Sequence, residues 1–170
     1  KRSVIDIQYI VTPSDNVQVL PSGSVDATLV VLALQNIENT PGTIKECSRL
    51  VRSGGRLFIV LNHPAFRIPK HSRWGFDEKE RKQYRRLDAY LSEDRQAIDM
   101  SPGREKKIVT ISFHRPLQYY AKHLYNAGFL MARLEEWVSH KTSEAGVRAS
   151  SENRARKEFP IFLMIEAVRT

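Results

Sequence analysis

The chain has 170 residues, 41% of them apolar and 27% charged, which suits one globular domain with its own core rather than a disordered or fibrous chain. Its 27 Lys and Arg against 19 Asp and Glu give a formal charge of +8 and a pI near 9.8, a balance that can serve nucleic acid or an anionic membrane face. A single cysteine, Cys47, argues against a disulfide framework and fits a reducing cytoplasm, and no apolar run approaches the ~18 residues of a membrane span.

In chain order, Val4–Val11 reads as a short strand. Thr28 to Leu34 is an almost unbroken apolar run rich in β-branched residues, the pattern of a central strand covered on both faces. In the next segment Thr40 is placed to cap a helix, Pro41 suits its first turn, and Ile44, Cys47, Leu50 and Val51 recur at helical spacing. Gly54 and Gly55 are expected to end that helix. A second apolar run, Arg56 to Leu61, stops at Asn62-His63-Pro64. Strand, helix and strand joined this way are normally parallel and right-handed, so Gln35-Asn36 and Asn62-His63 should lie side by side at the carboxyl edge, where open parallel sheets bind ligands.

From Pro64 to Thr110 the alternation breaks. Asp77 to Leu91 reads as a polar helical piece, and Gln96–Met100 with Lys107–Phe113 reads as a hairpin turning at Pro102-Gly103. Residues 64–114 thus form an insertion over the carboxyl edge, well placed to be a substrate lid. Pro116 then opens a helix carrying Leu117, Tyr120, Ala121, Leu124 and Tyr125 at helical spacing, stopped near Gly128. Phe129 to Val138 reads as a strand, Ser139 to Lys157 as a polar loop, and Phe159 to Ile165 as the last strand.

The string SDNVQVLPSGSVDATLVVLALQNIEN followed by TIKECSRLVRSGGRLFIV resembles the back half of a class I S-adenosylmethionine-dependent methyltransferase of the methyltransferase type 11-like kind. Ser14-Asp15-Asn16, Leu20 to Asp26, and Arg52 to Leu61 stand where that family has its acidic position after strand three, its lead into strand four, and its GG-ended helix before strand five. The resemblance implies an α/β, Rossmann-like sheet, mostly parallel with an antiparallel last strand. It also implies that strands one and two, with the glycine-rich loop that cradles the cofactor, should precede Lys1; no G-x-G-x-x-G-like string occurs. On that reading residues 1–170 are a single partial domain, inactive alone if the loop is missing. The strand at Ile5–Val11 would then lack neighbours and would not be stable by itself, unless it re-pairs with another copy as a homodimer.

The family also implies the cofactor S-adenosyl-L-methionine, with Asp15 meeting the adenine amino group, Asn16 giving a backbone donor, and Val30, Leu32 and Gln35 on the strand-four edge. Without the family, Asp15 reads as an Asx turn, and Asp26 as an anchor of the strand start. On the substrate side, His63 is a candidate base or donor, with loop capping the plainer role. His114 is a second candidate catalytic residue. Arg115 suits an anionic substrate group or a surface acid. Trp74 and Phe66 would wall an apolar pocket or simply pack the insertion. Tyr119 is a substrate candidate, whereas Tyr120 shares the apolar stripe and belongs to the core. The five histidines show no paired metal-ligand spacing.

Three readings follow. The first is methyl transfer to a small molecule. The second, raised by the charge, is an RNA- or DNA-directed methyltransferase or binding module. The third is an inactive remnant of the fold.

Overall fold

The computed structural model describes residues 7–101, 103, 105 and 108–170. Its framework is a four-stranded sheet in the order β1 (Val25–Val31), β2 (Val51–Asn62), β8 (Phe162–Arg169), β7 (Phe129–Trp137). β1 and β2 are parallel and β8 runs antiparallel to both neighbours, so the last strand is antiparallel as expected.

Helices α1 (Thr40–Leu50) and α2 (Leu117–Asn126) cover one face. Leu57, Ile59 and Leu61 of β2 and Leu163, Ile165 and Ala167 of β8 point into that layer, where they meet Ile44 and Cys47 of α1 and Tyr120 and Leu124 of α2. All are buried, and burying one such aliphatic side chain contributes roughly 1.5–3 kcal/mol.

The opposite face is more open. Leu29 and Val31 pair with Phe58 and Val60 and remain 68% and 56% exposed. β1 is therefore an edge strand among the described residues, not one covered on both faces. The strand ends at Val31, short of the end of the apolar run, because Leu32 turns into the left-handed region at φ 51°. On the same open face, buried Glu166 accepts ion pairs from Arg56 and, at 3.0 Å, from Arg133.

Other expectations are revised. The cap of α1 is Asn39, not Thr40: its side chain accepts from the Gly42 amide at 3.1 Å. The helix stops at Leu50, ahead of the two glycines, and Gly54 at φ 74° lies inside β2. Asp77 to Leu91 is not a helix. It holds the turn and second strand of a hairpin, β3 (Ser72–Asp77) with β4 (Lys82–Leu87). Its residues offer no apolar helical stripe, and Asp77 Oδ1 closes the turn by accepting from the Lys79 and Glu80 amides, both at 2.9 Å.

The second hairpin, β5 (Asp94–Asp99) with β6 (Val109–His114), forms as the sequence predicts. Its turn at Pro102-Gly103 falls partly outside the described residues. The polar stretch 139–157 contains a helix, α3 (Ala149–Glu158), which buries only Ala155. It is fixed from outside, by the Gln83 amide of β4 donating to Ser151 Oγ at 2.9 Å. Tyr125 stands 73% exposed, off the α2 stripe. Ile7–Val11 has no regular secondary structure and no strand pairing among the described residues, and the start of that expected strand lies outside them. No helix among them is long and apolar enough to cross a membrane.

Candidate functional site

The carboxyl ends of β1 and β2 meet as the crossover requires. The Leu32 amide donates to Val60 O at 2.8 Å, which ties the turn after β1 to β2. A short 3-10 turn, Leu34–Asn36, then carries Gln35 inward. Gln35 is 8% exposed; its Nε2 donates to Leu32 O at 2.8 Å, while its buried Oε1 has no partner among the described residues. A buried acceptor left unpaired costs about 1–3 kcal/mol, so this atom is poised for a donor.

A cavity of about 530 Å³ lies between this edge and the two hairpins, with Gln35, Asn36, Asn62, Ser72, Thr110 and Ser112 supplying polar atoms. A larger cavity of about 1080 Å³ opens beside it on the sheet face away from α1 and α2. Val31, Val60, Trp74, Trp137, Phe159 and Phe162 give it an apolar wall. Trp74 and Phe66 both meet Phe159 edge-on, with centroids 5.6 Å apart in each case. Arg67 and Arg85 line both cavities. Burial, and in second place the Arg67 charge, holds the Arg85 guanidinium below its ordinary range; burial does the same to Arg67.

The predicted site residues divide. Leu32, Gln35 and Trp74 line these cavities. Asp15, Asn16 and Val30 do not line them: Val30 packs against the core, and Asp15 accepts from Asn39 Nδ2 at 2.6 Å beside the start of α1.

His63 is buried with both ring nitrogens engaged. Nδ1 accepts from the Ala65 and Phe66 amides at 3.1 and 3.4 Å, which puts the proton on Nε2 facing Glu136 Oε1 at 2.8 Å. That arrangement fixes the loop after β2. His114 Nε2 donates to Tyr90 O at 2.7 Å.

Arg115 is 5% exposed and donates to Ile37 O, Glu38 O and Thr40 Oγ1, so its donors are spent on the loop before α1 rather than offered to a ligand. Tyr119 is half-buried against Arg115 and His123.

Sequence reasoning missed Arg67, Arg85, Trp137, Phe159 and Phe162, whereas it placed Asn62 at the ligand edge. Arg85 and Arg156 stand in polar stretches of the sequence, and only the fold brings each of them to the lining of a cavity. Among the described residues no three His, Cys, Asp or Glu side chains gather as a metal site.

Comparison with known proteins bears on this geometry. Residues 1–59 match the model of a methyltransferase domain. A methyltransferase dependent on S-adenosylmethionine from Mesorhizobium loti superimposes with a TM-score of 0.71 at 22% identity, over 93% of this chain and 68% of that one. A protein assigned to the same enzyme class from Listeria monocytogenes gives 0.70 at 18% identity, over 100% and 72%. The glycopeptide N-methyltransferase MtfA, solved with S-adenosylmethionine, gives 0.53 at 14%, over 94% and 59%. No curated protein matches the sequence. The domain match and the shared sheet together identify the chain as having the class I S-adenosylmethionine-dependent methyltransferase fold.

Proposed function

We propose that the protein transfers a methyl group from S-adenosylmethionine to a small-molecule acceptor bound at the carboxyl edge of β1 and β2. The observation that carries this reading is Gln35: a residue lining a polar cavity just beyond the first parallel strand, whose buried acceptor has no partner among the described residues. An orphaned acceptor of this kind fits a cofactor or acceptor that brings its own N–H or O–H donor. Leu32 and Gln35 are the residues of this chain that would hold the cofactor at that edge.

When bound, the cofactor supplies a methyl group on a positively charged sulfur, already activated for transfer. The protein's contribution is then positioning and exclusion of water. Gln35 fixes the turn through Leu32 O while offering Oε1, and Asn62 presents a second amide from the neighbouring strand. The β3–β4 and β5–β6 hairpins close over the edge and narrow access to it. His63 and His114 hold loops, so this reading assigns them no proton transfer. A cavity of about 1080 Å³ walled by aromatic side chains has the size and lining of a small-molecule site, which supports a small acceptor.

The test is calorimetric titration of S-adenosylhomocysteine into the protein as the cell makes it. Binding is expected, and Gln35→Ala is expected to weaken it about tenfold, the loss of roughly one hydrogen bond to a charged group. Absence of binding to the folded protein overturns the reading. Salt-dependent binding of oligonucleotides at comparable affinity would replace the small-molecule acceptor with a nucleic acid.

A further inference from the structure

Seven of the described arginines already have a carboxylate. Arg49, Arg52, Arg56, Arg86, Arg115, Arg133 and Arg148 each lie within ion-pair distance of one. The four cations lining the larger cavity, Arg67, Arg85, Lys141 and Arg156, have no such partner among the described residues. No Asp or Glu side chain among those residues lines either cavity. Like charges gathered against an apolar wall repel one another and lose hydration, so the arrangement is relieved by an anion brought from outside.

Arg85 is also oriented. Its Nε donates to Phe66 O at 2.7 Å, its Nη2 to Ser72 Oγ at 2.8 Å, and its guanidinium lies 5.1 Å from the Trp74 ring centroid. Nη1 is left with no partner among the described residues. Arg67 spends none of its guanidinium donors among them and sits 5.3 Å from the Phe162 ring centroid. Rigid guanidinium donors of this kind match the planar or tetrahedral oxygens of carboxylates and phosphates.

We propose that the two neighbouring cavities, which share Arg67 and Arg85, bind an organic oxyanion, a carboxylate or phosphate carried on an aromatic or similarly apolar body. Arg85 and Arg67 hold the charged head, and Trp74, Trp137 and Phe159 pack the body. As the identity of the methyl acceptor, this inference rests on the methyl-transfer reading. As a binding site, it stands apart from it.

The chain contains only two tryptophans, Trp74 and Trp137, and both line this cavity, so tryptophan emission reports its occupancy directly. The experiment titrates 3-phenylpropionate, phenyl phosphate, the neutral 3-phenylpropanamide and inorganic phosphate into the protein, and adds S-adenosylhomocysteine to the same samples. At least one aromatic anion is expected to bind about tenfold or more tighter than the amide. Arg67→Gln is expected to erase that preference with an unchanged melting curve, because its guanidinium makes no hydrogen bond in the described structure. Arg85→Gln should do the same, with circular dichroism checking that the β3–β4 hairpin persists.

Equal binding of amide and anions, no binding of either anion, or an anion preference that survives Arg67→Gln would each overturn the proposal. So would inorganic phosphate binding as tightly as phenyl phosphate, which would leave an adventitious ion only. S-adenosylhomocysteine binding without anion preference would sink this inference and spare the methyl-transfer reading; the reverse result would do the opposite.

Discussion

Arg115 Nη1 donates to Thr40 Oγ1 at 2.7 Å, and both side chains are buried although 75 residues separate them. The same guanidinium reaches Ile37 O at 3.0 Å and Glu38 O at 2.7 Å, while Phe113 and Tyr119 flank it at 4.8 and 5.1 Å. It therefore locks the loop between Gln35 and α1 onto the start of α2. Without it, Ile37 O and Glu38 O keep only Thr40 Oγ1 and the Thr40 amide as donors, and the buried Thr40 hydroxyl loses the group that donates to it. Arg115→Ala is expected to cost about 2–3 kcal/mol in urea unfolding, roughly one for each of the three hydrogen bonds lost, and Arg115→Lys somewhat less because one donor group can reach one acceptor. A loss below about 1 kcal/mol would mean that water replaces the guanidinium freely and the loop is not held there.

Glu46 of α1 sets an acid limit on stability. Its carboxylate is held below its ordinary 4.5, first by hydrogen bonding from Arg49 and then, against the opposing effect of burial, by the Val17 amide at 2.7 Å. A depressed folded value means that the stabilisation is present above the unfolded value and is lost as pH falls through the folded one. Melting temperature should thus drop as pH goes below about 4.5, and Glu46→Gln should flatten part of that fall. Part will remain, since Arg86 lowers Asp88 and Gln96 lowers Asp94 in the same direction. Because Arg49 also donates to Val17 O at 2.9 Å and Leu20 O at 3.0 Å, the variant should release amide protection in that segment as well. An unchanged pH profile would remove Glu46 from the account.

The two neighbouring glycines of β2 should respond differently. At Gly54 a methyl group meets nothing within 4 Å, so only the left-handed backbone at φ 74° resists it; Gly54→Ala is expected to cost about 1–2 kcal/mol. At Gly55 the added carbon would lie 2.6 Å from Asp26 O and 2.9 Å from Arg52 O, backbone atoms that cannot swing away. Gly55→Ala should cost about 3 kcal/mol or more, and thermal melts of the pair would reveal the order. Equal losses would mean that β1 and β2 can part there at little cost.

Cys47 is buried against the sheet, and burial pushes its thiol up from the ordinary 9.0. Ellman's reagent at pH 8 should react about 100-fold slower with the native protein than with the protein in urea. Native labelling at the unfolded rate would show that α1 opens readily from the sheet.

The strand–helix–strand unit was legible in the sequence because burial there is local and periodic: Ile44, Cys47 and Leu50 repeat at helical spacing, although Val51, read with them, opens β2, and Leu57, Ile59 and Leu61 alternate along one strand. The same logic located the carboxyl edge and Gln35, since a parallel crossover brings the ends of its two strands together. It failed for β3, β4 and α3, which bury little and owe their form to partners distant in sequence, as Gln83 does to Ser151. The open face of β1 was equally hidden, because an apolar run does not say how many neighbours cover it.

The role of each cation was decided by tertiary structure alone. Arg115 and Arg85 are the same residue type in comparably polar surroundings of sequence, yet one spends its donors on Ile37, Glu38 and Thr40 while the other, beside Trp74, keeps one without a partner among the described residues. A charge becomes a structural tie or a binding group according to which acceptors the fold brings within about 3 Å, and those acceptors come from segments that the chain order keeps far apart.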